Sequence, residues 1–422
     1  MDAPLRILVV TQFFTPEMGA PAARFHDFGA LLVERGHRVT VLTGFPNSPS
    51  GRIPAPYRGR LAQRETLDGI EVLRSWLFAS PRLTSATKSL GFASFAASAS
   101  LQALLRRLEA DVVVATAPPP TVGIPGLVAA RRLRCPLVFD VRDIWPEALA
   151  ASGRLRSGAV VRGLARLERV LYDAAAAVTV VTEGKRERMI EKGVAGDKVF
   201  VVPNGVDLRR FERLAPAAPD ELRALGLDPQ RFLVLYAGIL NPPQGLDVLL
   251  DAAMRLREAD AARAARMQVV LVGAGSERRR LEERIAREGL GELVRLVPEQ
   301  PRERIPALLA AAGAIAVTLR PRKDTHTVPS KLYEAMASGR PVLVSADGPP
   351  AEILREAKAG FATPAGDATA LARAIQTLLD DPEAARAAGA QGRAYVAGFD
   401  RNVLVERFES VLRGAVRQGE VR

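Results

Sequence analysis

One cysteine, three histidines and two tryptophans in 422 residues leave several chemistries without the side chains they need. Cys135 alone can form neither a disulfide framework nor a thiolate zinc site, which suits a reducing cytoplasm. His26, His37 and His326 do not fall at metal-ligand spacing with Asp or Glu, so no metal site is expected. Aromatics are 5% of the chain. A nucleic-acid binder would interleave aromatics with clustered Lys and Arg, whereas the arginines here are spread along helical patterns. Arg6-Ile7-Leu8-Val9-Val10 is too short for a secretory core and lacks a cleavage site. No apolar stretch reaches the ~20 residues of a membrane span. A cytoplasmic protein, soluble or peripheral to a membrane, is the expectation.

What is present points to a globular chain, with 48% hydrophobic and 25% charged residues. Its length exceeds one ordinary core, so two domains are expected. Lys and Arg number 59 against 47 Asp and Glu, a formal charge of +12. That balance favours anionic partners such as phosphates or acidic lipid heads. Arg-for-Lys usage in an Arg-rich proteome would raise it equally.

Apolar runs at Ile7–Val10, Val39–Leu42, Val112–Thr116, Leu137–Asp140, Ala177–Thr182 and Val199–Pro203 read as strands. A second series follows at Phe232–Tyr236, Met267–Val272, Leu293–Val297, Ala314–Leu319 and Pro341–Val344. Near-continuous aliphatic strands belong to parallel sheets covered on both faces. Helical spacing fills the gaps between them, as in Phe25 to Glu34 and Leu246 to Leu256. The expected class is α/β, with two doubly wound Rossmann-like domains at 1–203 and 204–395. An amphipathic helix in 396–422 presents Leu404, Phe408, Val411 and Leu412 on one face, and is expected to pack back on the first domain. In such sheets ligands sit beyond the carboxyl ends of the strands, so residues there are the functional candidates.

In the second half, Ser330-Lys331-Leu332-Tyr333-Glu334 opens a helix that ends at Gly339. Ser330 suits an N-cap, and the backbone N–H groups behind it suit an anion. Lys331 lies where the helix dipole disfavours a cation, which an anionic ligand would explain. Glu334, one turn on, can accept from a diol such as ribose. A solvated Lys and Glu on an amphipathic helix is the plainer alternative. Gly273-Ala274-Gly275 follows a strand and precedes a helix, and Gly238 and Gly245 bracket another strand-end loop.

In the first half, Phe13 to Arg24 forms a Pro/Gly loop leading into a helix. Asp140-Val141-Arg142-Asp143-Ile144-Trp145 sets two carboxylates and an arginine at one strand end. Acceptor recognition or proton removal would suit them, through Asp140 or Asp143, since partial burial raises a carboxylate toward a base. A structural Asp–Arg cluster is the alternative. Leu90 to Leu105, followed by Arg106-Arg107, is either a buried helix or one resting on a membrane face.

Taken together, the segments resemble the retaining glycosyltransferases of family 4, with the GT-B fold. Pro203-Asn204-Gly205-Val206-Asp207, Gly273-Ala274-Gly275 and Glu334-Ala335-Met336-Ala337-Ser338-Gly339-Arg340-Pro341 match its motifs in order. Arg35-Gly36-His37-Arg38-Val39 and the Asp140 to Glu147 segment are similar to others. The resemblance implies a nucleoside-diphosphate-sugar donor, transfer with retention, and neither metal nor cofactor. Glu334 would hold the ribose, with Gly238, Gly273 and Gly275 lining the donor pocket, and Gly19 and Ala20 approaching phosphate and acceptor. His326 stands where the family's first motif glutamate falls, and Gln244 where its phosphate-binding lysine falls. Lys331, with Arg320 or Arg322, would then supply the charge. The motif variant resembles fucosamine-type transferases of O-antigen and capsule synthesis, implying a lipid-linked or saccharide acceptor, contact with an anionic membrane, and no nucleic acid. A GT-B nucleotide-sugar 2-epimerase and a non-catalytic nucleic-acid binder are the alternatives.

Overall fold

The branched aliphatic runs become strands in the computed structural model, which describes residues 3–17, 19–48, 50–82, 84–145, 147, 158–212, 215–321 and 327–420. Two units separate: Met1–Asn204 with Arg401–Arg422, and Gly205–Asp400.

The first unit carries β1 Arg6–Val10, β2 Arg38–Gly44, β3 Ala62–Leu67, β4 Ile70–Ser75, β5 Val112–Ala117, β6 Leu137–Val141, β7 Ala177–Val180 and β8 Val199–Val201, in the order β3-β4-β2-β1-β5-β6-β7-β8. All neighbours are parallel except β3 and β4. Alternation sorts the core into two faces. Leu8 and Val10 join Phe95, Ala99 and Phe139 on one side. Ile7 and Val9 join Phe25, Phe28, Leu404 and Phe408 on the other. Thus the helix Arg401–Glu420 covers the first unit's sheet, closing it with Phe25, Phe28 and Phe408 in mutual edge and tilted ring contacts.

The second unit carries β9 Phe232–Ala237, β10 Met267–Val272, β11 Val294–Val297, β12 Ala314–Thr318, β13 Val342–Ser345 and β14 Gly360–Thr363, in the order β11-β10-β9-β12-β13-β14, all parallel. Leu233 and Leu235 face one core, Val234 and Tyr236 the other. In each sheet the order reverses beside one strand: between β1 and β5, and between β9 and β12. Those reversals open the crevices where ligands of doubly wound sheets bind.

The hairpin β3–β4 and the edge strand β14 were not among the expected strands. Edge strands alternate polar and apolar residues instead of running continuously apolar. Asp68-Gly69, with φ of 48° and 77°, makes the tight turn of that hairpin.

Candidate active site

In the second unit the loop after β9 and the loop after β10 interlock. Gly238 N donates to Val272 O, and Leu240 N donates to Ala274 O at 2.8 Å. A Cβ on Gly273 would lie 1.9 Å from Gly238 O, and one on Gly275 2.0 Å from Leu240 O. Both have φ near 150°, so only glycine fits twice over. The loop after β12 joins them, since Arg320 N donates to Pro243 O at 3.0 Å.

Lys331 crosses this frame. It begins the seven-residue helix Lys331–Ala337, and its Nζ donates to Tyr236 Oη at 2.5 Å and to Gln244 Oε1 at 2.8 Å. The ammonium lies 3.9 Å from the centre of the Tyr236 ring, and an added Cβ on Gly238 would meet it at 2.9 Å. Burial disfavours its charge and lowers its pKa to about 7, although Glu334 pulls the other way. Tyr236 in turn donates to Ile239 O at 2.9 Å. Among the described residues no carboxylate comes within ion-pair distance of Lys331. Its two hydrogen-bond partners are neutral and fix its direction without answering its charge.

Glu334 sits on the same helix with its pKa raised by burial, opposed by Arg210, Arg302 and Lys331. The Arg210 guanidinium is 4.0 Å from its carboxylate. Arg210 and Tyr236 had no assigned role in the sequence. Tyr236 does stand out as the one polar residue of an apolar strand, whereas nothing local marks Arg210. Ser330 does not cap its helix as expected. It is itself helical in φ and ψ, its side chain makes no capping bond, and its carbonyl accepts from Tyr333 N and Glu334 N. His326 and Arg322 lie outside the described residues, and Arg320 is exposed.

In the first unit the two aspartates part company. Asp140 is fully buried at the end of β6, accepting from Thr116 Oγ1 and Thr179 Oγ1 at 2.8 Å each, with Arg24 at 3.5 Å. Asp143 keeps 40% of its side chain exposed, 3.5 Å from Lys185 Nζ. Lys185 also donates to Arg142 O, and burial lowers its pKa. Arg142 is 7% exposed, with Nε and Nη2 lacking hydrogen-bond partners among the described residues and Asp140 3.9 Å away. Gln12 Oε1 and Thr121 Oγ1 are likewise buried without partners. These three groups follow β6, β1 and β5, adjacent strands about 4.8 Å apart. Gly19 and Ala20 begin the helix Ala20–Glu34 after β1. Just before them Glu17 accepts from Asn47 N and Ser48 N at 2.8 Å, and burial raises its pKa to about 7. His37 is structural: its Nδ1 accepts from Leu5 N, and its Nε2 lies 3.2 Å from Glu409.

Residues 218–395 match the family model of glycosyl transferases group 1, and residues 19–205 the glycosyl transferase 4-like domain. A putative colanic acid biosynthesis glycosyl transferase, WcaI of Escherichia coli strain K12, is 27% identical over 81% of this chain and 84% of its own. A D-inositol 3-phosphate glycosyltransferase of Thermomonospora curvata is 32% identical over 69% of each. Among solved structures, sucrose-phosphate synthase from Thermosynechococcus elongatus superposes with a TM-score of 0.74 at 21% identity, over 97% of this chain and 98% of that one. Anabaena HepE, solved with UDP-glucose, gives 0.69 at 20% identity over 97% and 100%. The chain belongs to the group 1 glycosyltransferases and has their GT-B class of paired Rossmann-like domains.

Proposed function

We propose that this group 1 glycosyltransferase moves a sugar from a nucleoside-diphosphate sugar to a lipid-linked or saccharide acceptor, with retention, in surface polysaccharide synthesis at the cytoplasmic face of a bacterial membrane. The observation that carries the reading is the Lys331 ammonium, oriented by Tyr236 and Gln244 yet unpaired with any described carboxylate, between glycine loops at the β9–β12 reversal. Support also comes from WcaI, named for colanic acid biosynthesis, and from the UDP-glucose held by HepE.

As the bond from the anomeric carbon to the diphosphate breaks, negative charge grows on the leaving phosphate oxygen. Lys331, protonated in the complex, stabilises that charge, so no metal or other cofactor is required. The backbone at Gly238, Gly273 and Gly275 admits the nucleotide, and Glu334 accepts from the ribose hydroxyls. Gln244 and Ser330 complete the phosphate side, and His326 contacts the donor sugar by its place in the motif. In the first unit Gly19 and Ala20 serve the acceptor by their place in the family loop, and Arg142 offers to an acceptor oxygen two donors that lack partners among the described residues. Asp143, the accessible carboxylate, takes the acceptor's proton. Asp140 positions Arg24 and Arg142 instead of meeting substrate.

Thermal unfolding against UDP, GDP, ADP and CMP tests the donor half, because a ligand that binds only the folded state raises the midpoint. One diphosphate should stabilise the wild type, and Lys331→Ala and Glu334→Ala should each abolish the shift. Folded protein that no nucleotide stabilises overturns the reading.

A further inference from the structure

The helix Ser85–Leu105 lays one face on its sheet and leaves the other bare. Gly91, Phe95, Ala96, Ala99 and Ala103 are buried. Leu90, Leu101, Leu104 and Leu105 are 50–73% exposed. Ala93 and Ala97 between them are exposed too. Positions 90, 93, 97, 101 and 104 repeat at threes and fours, making one stripe about 20 Å long at ~1.5 Å per residue. The patch extends sideways. Ser98 Oγ donates to Trp76 O, and Trp76 N donates to Leu61 O at 3.0 Å. Trp76 and Leu61 are both exposed.

Charge is missing from the stripe and gathered at its ends. From Ser89 to Leu105 no residue is charged, whereas Lys88 precedes and Arg106 and Arg107 follow. The nearest carboxylate after them, Glu109, is paired with Arg6. Other surface helices show no shortage of charge: Arg278–Arg287 reads RRRLEERIAR. Among the described residues every exposed helical leucine lies on this helix, and burying that face would remove a contiguous apolar area from water. The helix is not long and apolar enough to cross a membrane.

We propose that this face docks on the surface of a bilayer containing anionic lipid. The leucines and Trp76 sit at the boundary between headgroups and acyl chains, and Lys88, Arg106 and Arg107 meet lipid phosphates. Cations at both ends of an uncharged stripe complement a uniformly anionic plane, whereas a protein partner is usually met by a rim of mixed polarity. Such docking does not depend on which donor or acceptor the chain handles.

Co-sedimentation with vesicles of phosphatidylcholine, with and without phosphatidylglycerol, tests it. The full chain should bind the anionic vesicles more strongly, and the preference should shrink as salt rises. Leu101→Asp combined with Leu105→Asp, at exposed positions, should cut binding at least about tenfold while leaving the unfolding midpoint unchanged. Arg106→Glu combined with Arg107→Glu should erase only the preference for anionic lipid. Folded wild-type protein that stays in the supernatant with every vesicle overturns the proposal. So does a dimer, seen by analytical ultracentrifugation, that the double leucine variant converts to monomer, since the face would then belong to a second copy.

Discussion

In the second unit the ammonium of Lys331 meets a phenol and an amide, while in the first the ammonium of Lys185 meets a carboxylate and a carbonyl. Burial lowers the pKa of both. The partners make the difference. Asp143 already answers the charge of Lys185, so that lysine ties the loop after β6 to the helix Glu183–Glu191. Tyr236 and Gln244 bring no charge to Lys331, so its protonated form has no counterion among its hydrogen-bond partners. Buried charge is costly unless paired, so a cation kept short of a counterion marks a binding site more reliably than a cation in a network.

The sharpest way to break that contrast is at the aspartates. Asp140→Ala should destabilise the protein by about 3–5 kcal/mol, because it removes the buried carboxylate beside Arg24 and leaves two threonine hydroxyls without their acceptor. Asp143→Asn should cost less, about 1–3 kcal/mol, because it takes the carboxylate from the buried Lys185, and should also lower transfer activity. Denaturant unfolding and a sugar-transfer assay separate the two. Next in size, Gly273→Ala should cost on the order of 3 kcal/mol and abolish nucleotide binding, since its methyl group would collide with Gly238 O. Binding that survives would mean the glycine loops are not the nucleotide's frame.

Lys331→Met should weaken diphosphate binding by about ten- to a hundredfold, the worth of a charged hydrogen bond. Protonation offers a finer readout. With a pKa of about 7, free Lys331 is mostly neutral at about pH 8, and a bound anion raises that value. Binding at that pH should take up close to one proton, visible by calorimetry in buffers of different ionisation enthalpy. Affinity should fall as pH rises above 7, and Lys331→Met should lose both effects. The smallest expected effect concerns Glu17, whose pKa is raised from 4.5 to about 7. Between those values the unfolded chain ionises first and binds fewer protons than the native state. Stability should therefore fall as pH rises through this window, and Glu17→Gln should flatten that slope in unfolding measurements.

Much of this was legible in the chain. Val112–Thr116 and Met267–Val272 could be read as strands because strands covered on both faces are apolar throughout. The hairpin at 62–75 escaped because an edge strand such as AQRETL is half polar, though Asp68-Gly69 signalled its turn. Gly238, Gly273 and Gly275 were visible as strand-end glycines. Their interlocking was not, nor was the failure of Ser330 to cap.

By itself the sequence determined the alternation of strand and helix, the glycine loops and the uncharged stretch from Ser89 to Leu105. These are local patterns, set by propensity and by which residues can leave water. Tertiary structure alone decided that Lys331 meets Tyr236, 95 residues away, that Arg210 faces Glu334, and that Asp140 is sealed while Asp143 is open. Whether a polar group is paired, desolvated or free depends on which strand ends the fold sets side by side, and that is written in no short stretch of chain.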